Sequence, residues 1–275
     1  MIKNSMTETT NINKSLSIRV CSNGLSFCVY APGQEEPFMY KEVDVNHTIS
    51  LAANLKDALK NEPMLKEQYQ RVNVLVTTPH FTTVPVAAFE KDSIEAVFNL
   101  AFPKDRPSRV SYNVLRRSGI AIVFGLERNI YQLILDDFPR ARFYASASTL
   151  IEFFSERSMF GPGKKMYVYL HEKEMTVYVF EHGRMLFVNT FDVSTVNDVQ
   201  YYALNVWKEL GLDQIDDSLF IVGDKEPLIA ELSKKIKYFL QNVTIIDRSE
   251  DFKEKLTAGN TVIPYDLQTL LVCGF

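Results

Sequence analysis

The sequence has few cysteines and no long apolar segment. Cys21, Cys28 and Cys273 form an odd, scattered set without the spacing of metal ligands, which indicates small apolar fillers in a reducing compartment. No stretch approaches the roughly 18 apolar residues that cross a bilayer. The polar start of the chain, residues 1–14, lacks the apolar segment of a signal peptide and is typical of a frayed, flexible tail. We therefore expect a cytoplasmic protein without membrane insertion.

The chain also lacks an excess of positive charge. Its net charge of −4 over 275 residues excludes a general nucleic-acid binder. Residues 104–142 depart from this balance, because they hold eight basic side chains against four acidic ones. The basic residues are Lys104, Arg106, Arg109, Arg116, Arg117, Arg128, Arg140 and Arg142. Such a segment either guards a sheet edge or binds an acidic or phosphate-bearing partner, and Arg116 and Arg117 are the candidate partner-binding residues.

Short motifs of catalysis are absent as well. The chain contains no Gly-x-Ser-x-Gly motif, no Walker loop and no dinucleotide fingerprint. The histidines His47, His80, His171 and His182 are far apart, and none has a second ligand at metal-binding spacing. His80 follows a proline that ends a predicted strand, where a structural imidazole is favoured over a functional one. We expect no catalytic residue and no metal site.

What the sequence does contain is one order of elements that occurs twice. With 46% hydrophobic residues, the chain can build a substantial core, and its length suits two lobes. Each half is predicted to form three strands, a helix, a strand and a helix, with the strongest break at Gly161-Pro162-Gly163. A shift of 148 residues takes Ile18 to Met166 and Asp44-Val45 to Asp192-Val193. This order favours an internal duplication.

The predicted lobes cover residues 15–160, with an inserted segment at about 85–140, and residues 164–275. Each lobe begins with a hairpin. In the first hairpin, Asn23-Gly24 is a dipeptide favoured in two-residue turns, and it would place Val20 opposite Phe27. A helix at about 48–60 follows, with Thr48 as its predicted N-cap.

A duplicated βββαβα unit resembles the superfamily of actins, sugar kinases and heat-shock chaperone ATPases. Cys21-Ser22-Asn23-Gly24 looks like the first phosphate loop of actins, which is Cys-Asp-Asn-Gly. Residues 74–81 are similar to the chaperone segment Val-Ile-Thr-Val-Pro-Ala-Tyr-Phe, and residues 144–148 lie where the family has an interlobe helix rich in small residues. The second hairpin, 166–180, takes the place of the second phosphate loop, and residues 220–224 look like the adenosine-binding loop.

The resemblance implies an α/β protein with two ribonuclease-H-like lobes, which is the actin-like ATPase fold. The chain also resembles an uncharacterised Bacteroidetes family that is described as having this fold. In the superfamily, acidic residues at the hairpin turns hold Mg²⁺, and glycines let backbone N–H groups approach the phosphates. The corresponding cleft positions in this chain are Ser22, Asn23, Gly24, Lys173, Gly223 and Asp224.

Three loops of this chain depart from that pattern. Ser22 replaces the first aspartate, and a neutral hydroxyl is a poor anchor for hydrated Mg²⁺. Residues 171–176 contain no glycine, so side chains fill the space of a phosphate. The adenosine loop keeps Gly223 alone, with Asp224 beside it. These departures predict a pseudo-ATPase without a required cofactor, although ATP binding without hydrolysis stays open.

The sequence thus favours a non-enzymatic actin-like scaffold that binds an unknown protein partner. This resembles the degenerate members of the superfamily that serve as assembly platforms in secretion and pilus systems. The alternative is an ATPase or phosphotransferase in which Asp44, Asp192 or Asp224 takes over metal binding. A third hypothesis is a nucleic-acid-associated protein that uses the basic segment, and it predicts steep salt dependence of binding.

Overall fold

The computed structural model describes residues 14–22, 24–32, 37–104, 109–223, 226–247, 252 and 263–273. The chain divides into two compact units. The first unit contains residues 1–74 and 129–143, and the second contains residues 75–128 and 144–275. The lobe boundary predicted at residues 160–164 was derived from the repeated order of elements, not from compactness, and it stays a prediction.

Strands and helices alternate along the chain as an α/β protein requires. The described strands are β1 (Ser15–Cys21), β2 (Gly24–Tyr30), β3 (Phe38–Val43), β4 (Arg71–Val76), β5 (Phe81–Pro85), β6 (Arg109–Leu115), β7 (Ile120–Leu126), β8 (Arg142–Ala145), β9 (Lys164–His171), β10 (Glu174–Glu181), β11 (Arg184–Asp192), β12 (Ser218–Gly223) and β13 (Asn242–Ile245). The described α-helices are α1 (Leu51–Asn61), α2 (Ile94–Ala101), α3 (Arg128–Asp137), α4 (Ser146–Arg157), α5 (Val196–Glu209), α6 (Glu226–Ile236) and α7 (Tyr265–Cys273).

Two five-stranded sheets have the same strand order. One is β3-β2-β1-β4-β8, and the other is β11-β10-β9-β12-β13. In the second sheet β9, β10 and β11 are antiparallel neighbours, whereas β12 is parallel to both β9 and β13. The parallel pairing of β12 and β13 requires a crossover, and α6 supplies it. The predicted order of three strands, a helix, a strand and a helix therefore holds in the second sheet.

A third, smaller sheet in the order β5-β7-β6 lies between β4 and α3 in the chain. Helix α2 covers it, and Phe98, Val110 and Val123 form its buried core. Strand β5 was not expected from the sequence. It ends in a proline and contains two threonines, so its residues 81–85 carry a weak hydrophobic pattern, and it lies at the edge of its sheet, where such a strand is tolerated.

The predicted register of the first hairpin is wrong by two residues. Cys21 pairs with Gly24, so the strand pairing includes a residue that was predicted to lie in the turn, and Val20 pairs with Leu25 instead of Phe27. Asn23 itself lies outside the described residues. A shift of two residues keeps every side chain on its own face of the sheet. The predicted buried face, which includes Val20 and Phe27, is therefore correct.

The turn of the second hairpin is offset from the predicted repeat. Cys21 and Gly24 form the last pair before the first turn, and His171 and Glu174 form the last pair before the second. A shift of 148 residues takes Cys21 to position 169, so His171 lies two positions beyond the predicted one. The repeated strand order is observed, and the origin of the two halves by duplication stays a prediction.

The start of α1 also differs from the prediction. Ser50 caps this helix, because its hydroxyl oxygen accepts a hydrogen bond of 3.2 Å from the N–H of Ala53. Thr48 is engaged elsewhere, since its N–H and its hydroxyl both donate to Asn46 Oδ1, at 2.9 and 2.7 Å. Because Thr48 is held by the Asn46 side chain, it does not cap the helix, and α1 begins two residues later than predicted, after Ser50.

The core of the second sheet confirms the apolar stripe predicted for α5. Ala203 and Trp207 are buried in it, and Leu210 packs against its edge. The other face of this sheet carries aromatic rings, and Tyr167 stacks on Phe154 of α4 with 4.3 Å between ring centroids. None of the described helices combines the length and the apolar character needed to span a membrane.

Gly163 has a structural role in the segment predicted to be a linker. Its φ is +72°, and a Cβ at this position would lie 2.7 Å from Asp217 Oδ1 and 2.8 Å from the carbonyl oxygen of Asp216. The carboxylate of Asp217 accepts hydrogen bonds from the N–H of Lys164, at 2.5 Å, and of Asp213, at 2.7 Å. A glycine is therefore needed to bring this turn against the loop that precedes β12.

Replacing this glycine should be costly. We expect Gly163→Ala to lower the free energy of unfolding by about 3 kcal/mol, because the left-handed backbone and the contact with a backbone oxygen both oppose a side chain. Gly211→Ala is the matched control, since φ is +60° there but a Cβ would meet open space. That control should lose about 1 kcal/mol. Urea denaturation of both variants measures the difference, and equal losses would contradict the role of the Asp217 contact.

Candidate functional site

A buried aspartate at the start of α7 organises the polar end of the second unit. Asp266 is fully buried. Its Oδ2 accepts hydrogen bonds from the hydroxyls of Thr77, at 3.0 Å, and Ser146, at 3.1 Å, and its Oδ1 accepts from the N–H of Leu267, at 2.9 Å. The carboxylate thus joins the end of β4 and the first turns of α4 and α7. Its position at a helix N-terminus further favours a negative charge.

Small polar residues allow α4 and α7 to meet closely. The Thr269 hydroxyl donates to the carbonyl oxygen of Asp266 at 2.7 Å, and it lies 2.9 Å from the hydroxyl of Thr149. Ser146 and Thr149 are buried on α4, next to Ala147. The segment 144–148 was predicted to begin a helix rich in small residues, and α4 does begin at Ser146. The small side chains serve the contact between these two helices.

The turn between β9 and β10 contains side chains at every position. Glu172 has a φ of 51°, a conformation that favours glycine. Lys173 is exposed, and its carbonyl oxygen accepts a hydrogen bond of 2.8 Å from the N–H of Val193. The turn is therefore closed by strand pairing, with no glycine to expose a row of backbone N–H groups to an anion.

This turn is also acidic. Glu174 pairs with Asp192 on the neighbouring strand, and Glu172 lies two residues before it. Burial raises the pKa of the Glu174 carboxyl; His171 opposes this shift, and the nearby charges of Glu172 and Asp192 add to it. Burial also raises the pKa of Tyr178, and the carboxylate of Asp266 adds to that effect. The local field therefore disfavours any further negative charge.

Close packing against a neighbouring strand requires a glycine at position 223. It lies at the end of β12, where it pairs with Leu170 of β9. A Cβ at position 223 would lie 2.4 Å from the carbonyl oxygen of Leu170 and 2.9 Å from its Cβ. Close approach of two strands thus accounts for this residue without a nucleotide. Its neighbour Asp224 lies outside the described residues.

Two cavities of the second unit are small. One of about 20 Å³ has room for a single water. It is lined by Thr77, Thr78, Phe81, Ser146, Ala147, Tyr169, His171, Glu174, Thr176 and Tyr178. The other, of about 240 Å³, is lined by Pro79, His80, Phe81, Phe102, Val188, Asn189, Thr190 and Asp192. Both volumes fall below the range of about 300–1,000 Å³ that is usual for small-molecule sites.

The structure places the predicted site residues in several parts of the chain. Ser22 and Gly24 belong to the β1–β2 hairpin of the first unit. Lys173 and Gly223 both belong to the second unit. They lie at the same end of its sheet, because Gly223 pairs with Leu170, which is three residues before Lys173. Arg116 and Arg117 form the exposed turn between β6 and β7. Asn23 and Asp224 lie outside the described residues.

Sequence reasoning missed the network around Asp266. The available signal was an aspartate at the start of the apolar helix predicted at residues 267–271, with a threonine three residues later. An acidic residue in the first turn of a helix is common, so this pattern alone does not indicate a buried hub. Its partners, Thr77 and Ser146, are far away in sequence.

Burial of Cys28 fits the interpretation as an apolar filler, whereas the thiol of Cys21 donates to the carbonyl oxygen of Gly24 at 3.3 Å. Cys21 and Cys28 are buried, and no disulfide is formed by the three thiols. Burial raises the pKa of the Cys28 thiol to about 12, so the reactive thiolate is disfavoured. His80 packs edge-on against Phe102, with 5.3 Å between ring centroids.

Comparison with known proteins supports the fold. A solved structure described as a protein of Bacteroides thetaiotaomicron VPI-5482 with actin-like ATPase fold and unknown function is 32% identical, with a TM-score of 0.81 over 95% of this chain and 96% of that one. The PilM-PilN type IV pilus biogenesis complex is 10% identical, with a TM-score of 0.51 over 86% of this chain and 89% of that one, which shows the fold alone. No match was found among curated proteins.

These similarities confirm the predicted fold class and the predicted resemblance to an uncharacterised actin-like family. The two five-stranded sheets are those of the two-lobed actin-like ATPase fold. The model of one family matches residues 3–243, which is most of the chain. The protein therefore belongs to the family described as Protein of unknown function (DUF3822), and it has an actin-like ATPase fold.

Proposed function

We propose that this protein is a non-enzymatic actin-like scaffold that binds a protein partner and does not hydrolyse ATP. The observation that carries the proposal is the turn between β9 and β10, where Glu172, Lys173 and Glu174 stand in place of a glycine-rich phosphate loop. A cytoplasmic location and the absence of a required cofactor remain part of this proposal.

The electrostatics of this turn support the proposal. A triphosphate brought to it would meet the carboxylates of Glu172, Glu174 and Asp192. Each close pair of like charges costs about 1 kcal/mol in water and more where it is desolvated. Backbone N–H groups in a glycine-rich loop usually offset that repulsion, and this turn uses its backbone for strand pairing instead.

A relative of the same fold supports the idea of partner binding. The PilM-PilN structure is described as a complex of type IV pilus biogenesis. We extend membership of a protein complex to the present chain as part of the proposal.

Nucleotide titration tests the proposal. We expect isothermal titration with Mg-ATP to give no micromolar binding, and a phosphate-release assay to give no turnover above a blank with heat-denatured protein. The double variant Glu172→Gln/Glu174→Gln is titrated with Mg-ATP for comparison with the unmodified chain, because it removes two of the repelling charges without changing side-chain length. Micromolar binding of Mg-ATP with measurable hydrolysis by the unmodified chain would overturn the proposal.

The acidic turn leaves one alternative function. Carboxylates are good ligands for Mg²⁺, and Asp192 lies opposite Glu174, so these residues could hold a metal in an ATPase or phosphotransferase with displaced catalytic residues. Asp44 is exposed in the first unit, and Asp224 lies outside the described residues. If activity were found, at least one of Asp44→Asn, Asp192→Asn and Asp224→Asn should abolish it, and unchanged activity in all three would exclude this alternative.

The basic segment is tested separately. Arg116 and Arg117 are exposed at a turn that is anchored to α4, because the Ser118 hydroxyl donates to Glu152 Oε1 at 3.0 Å. We expect a labelled single-stranded DNA of roughly 20 nucleotides to bind weakly, with little change in affinity between about 50 and 200 mM salt. Fluorescence anisotropy measures this dependence, with Arg116→Glu/Arg117→Glu as the control. Steep salt dependence that the variant loses would support the nucleic-acid hypothesis instead.

A further inference from the structure

Strand β11 lies at the edge of the second sheet. It has nine residues, and among the described residues its only sheet neighbour is β10. The N–H of Val193 donates to Lys173, so the backbone groups of every second residue before it, Phe191 and Asn189, also face β10. The N–H and C=O groups of Val188 and Thr190 consequently face away from the sheet.

A groove lies beside this edge, within the second unit. It is the cavity of about 240 Å³, with residues 188–190 and Asp192 on the side of β11. Pro79, His80, Phe81 and Phe102 form its other side. Side chains two residues apart share one face of a strand, so Val188, Thr190 and Asp192 form one row along the groove. Its volume suits one or two side chains.

The end of the groove at Asp192 is negatively charged. Asp192 and Glu174 form no ion pair with a lysine or arginine among the described residues, and Glu174 pairs directly with Asp192 across the sheet. Two carboxylates on neighbouring strands repel each other, and His171 beside Glu174 offsets only part of this repulsion. A cationic group bound between them would relieve this repulsion, so the charge at this end complements a lysine or arginine.

We infer that β11 binds an extended peptide segment of the partner as an added strand, with an apolar side chain in the groove and a lysine or arginine beside Asp192. The inference rests on the proposed scaffold function and specifies the chemistry of its partner. Backbone hydrogen bonds to Val188 and Thr190 supply affinity, and the alternate side chains supply specificity.

A single extended segment suits this groove better than a second copy of the chain. A second copy that pairs through its own β11 brings the rest of its sheet along. Pro79, His80, Phe81 and Phe102 line the groove across from β11, so the space beside the strand is bounded and holds a narrow segment more readily than a whole sheet. A lone strand needs only the spacing of about 4.8 Å between neighbouring strands.

A random library of phage-displayed dodecapeptides is the probe, selected on the full chain, and the enriched sequence is then synthesised and its affinity measured by fluorescence polarisation. We expect alternating apolar residues and a lysine or arginine near one end. Thr190→Pro should lower affinity about tenfold or more, because it removes an outward N–H while leaving the backbone hydrogen bonds to β10 in place; it also removes the contact of 2.9 Å between the hydroxyls of Thr190 and Thr176. Methylation of the peptide nitrogens that face β11 should weaken binding equally, whereas methylation of the alternate nitrogens should not.

The charge at the groove end is tested with a matched pair. Asp192→Asn should lower affinity for the cationic peptide severalfold, whereas Asp216→Asn, at an exposed aspartate in the loop before β12, should leave it unchanged. Circular dichroism before each titration shows that the variants are folded.

Three outcomes would overturn the inference: no enriched sequence, binding that is indifferent to Thr190→Pro and to peptide methylation, or self-association in sedimentation that Thr190→Pro abolishes. Hydrolysis of Mg-ATP would instead remove the proposed scaffold function, whatever the peptide result. The two failures are therefore distinguishable.

Discussion

Asp266→Ala is expected to lower the free energy of unfolding by about 4 kcal/mol. The substitution removes the acceptor for the hydroxyls of Thr77 and Ser146 and for the N–H of Leu267, all at the polar end of the second unit. A buried donor left without an acceptor costs about 1–3 kcal/mol, and three donors lose theirs together. Thermal and urea denaturation at neutral pH measure the loss.

Asp266→Asn is the matched control. The amide keeps the size of the carboxylate and one oxygen that can accept from a hydroxyl, so we expect a loss of about 1–2 kcal/mol. Thr269→Val removes a hydroxyl that donates to the backbone carbonyl of Asp266 and should cost about 1 kcal/mol. If Asp266→Ala were no more harmful than Asp266→Asn, the carboxylate would not be the hub of this network.

Gly223→Ala is expected to lower the free energy of unfolding by about 3 kcal/mol or more. The added methyl carbon would lie 2.4 Å from the carbonyl oxygen of Leu170, which is backbone in the centre of the second sheet and cannot turn away as a side chain can. Strand β12 would have to separate from β9, and overpacking of this kind costs about 1–3 kcal/mol even where side chains can adjust.

Gly119→Ala separates steric contact from backbone conformation. Gly119 has a φ of +69° with open space around its Cβ position, so its replacement should cost only about 1 kcal/mol. Both variants are measured by urea denaturation, and Mg-ATP is then titrated into each. A Gly223→Ala variant that kept its stability and changed only nucleotide binding would show that this glycine serves a ligand, against the packing role described above.

The sequence predicts the faces of the strands better than their partners. Val20 and Phe27 are buried on the predicted face, yet the first hairpin is displaced by two residues from the predicted register. The reason is that alternation of apolar and polar residues has a period of two, so a shift by two residues leaves it unchanged. Only the pairing of Cys21 with Gly24 distinguishes the two registers.

The candidate site was predictable only where its chemistry is local. The missing glycines at residues 171–176 are visible in the sequence, and the structure adds that the turn is held by pairing of Lys173 with Val193. The role of Gly223 was not visible, because its constraint comes from Leu170 on a strand 53 positions earlier in the numbering. The groove beside β11 was also missed, since it joins residues near 80 and near 190.

By itself the sequence determined the order of elements except for β5, the buried faces, the apolar stripe around Trp207, and the lack of glycine in the second hairpin turn. These are properties of near neighbours, set by the periods of helices and strands and by side-chain size. Tertiary structure alone decided the hairpin register, the burial of Asp266 beside the distant hydroxyls of Thr77 and Ser146, and the place of β11 at the edge of the described sheet. These three features depend on which segments, far apart in sequence, come into contact. Patterns over a few neighbouring residues do not determine those contacts.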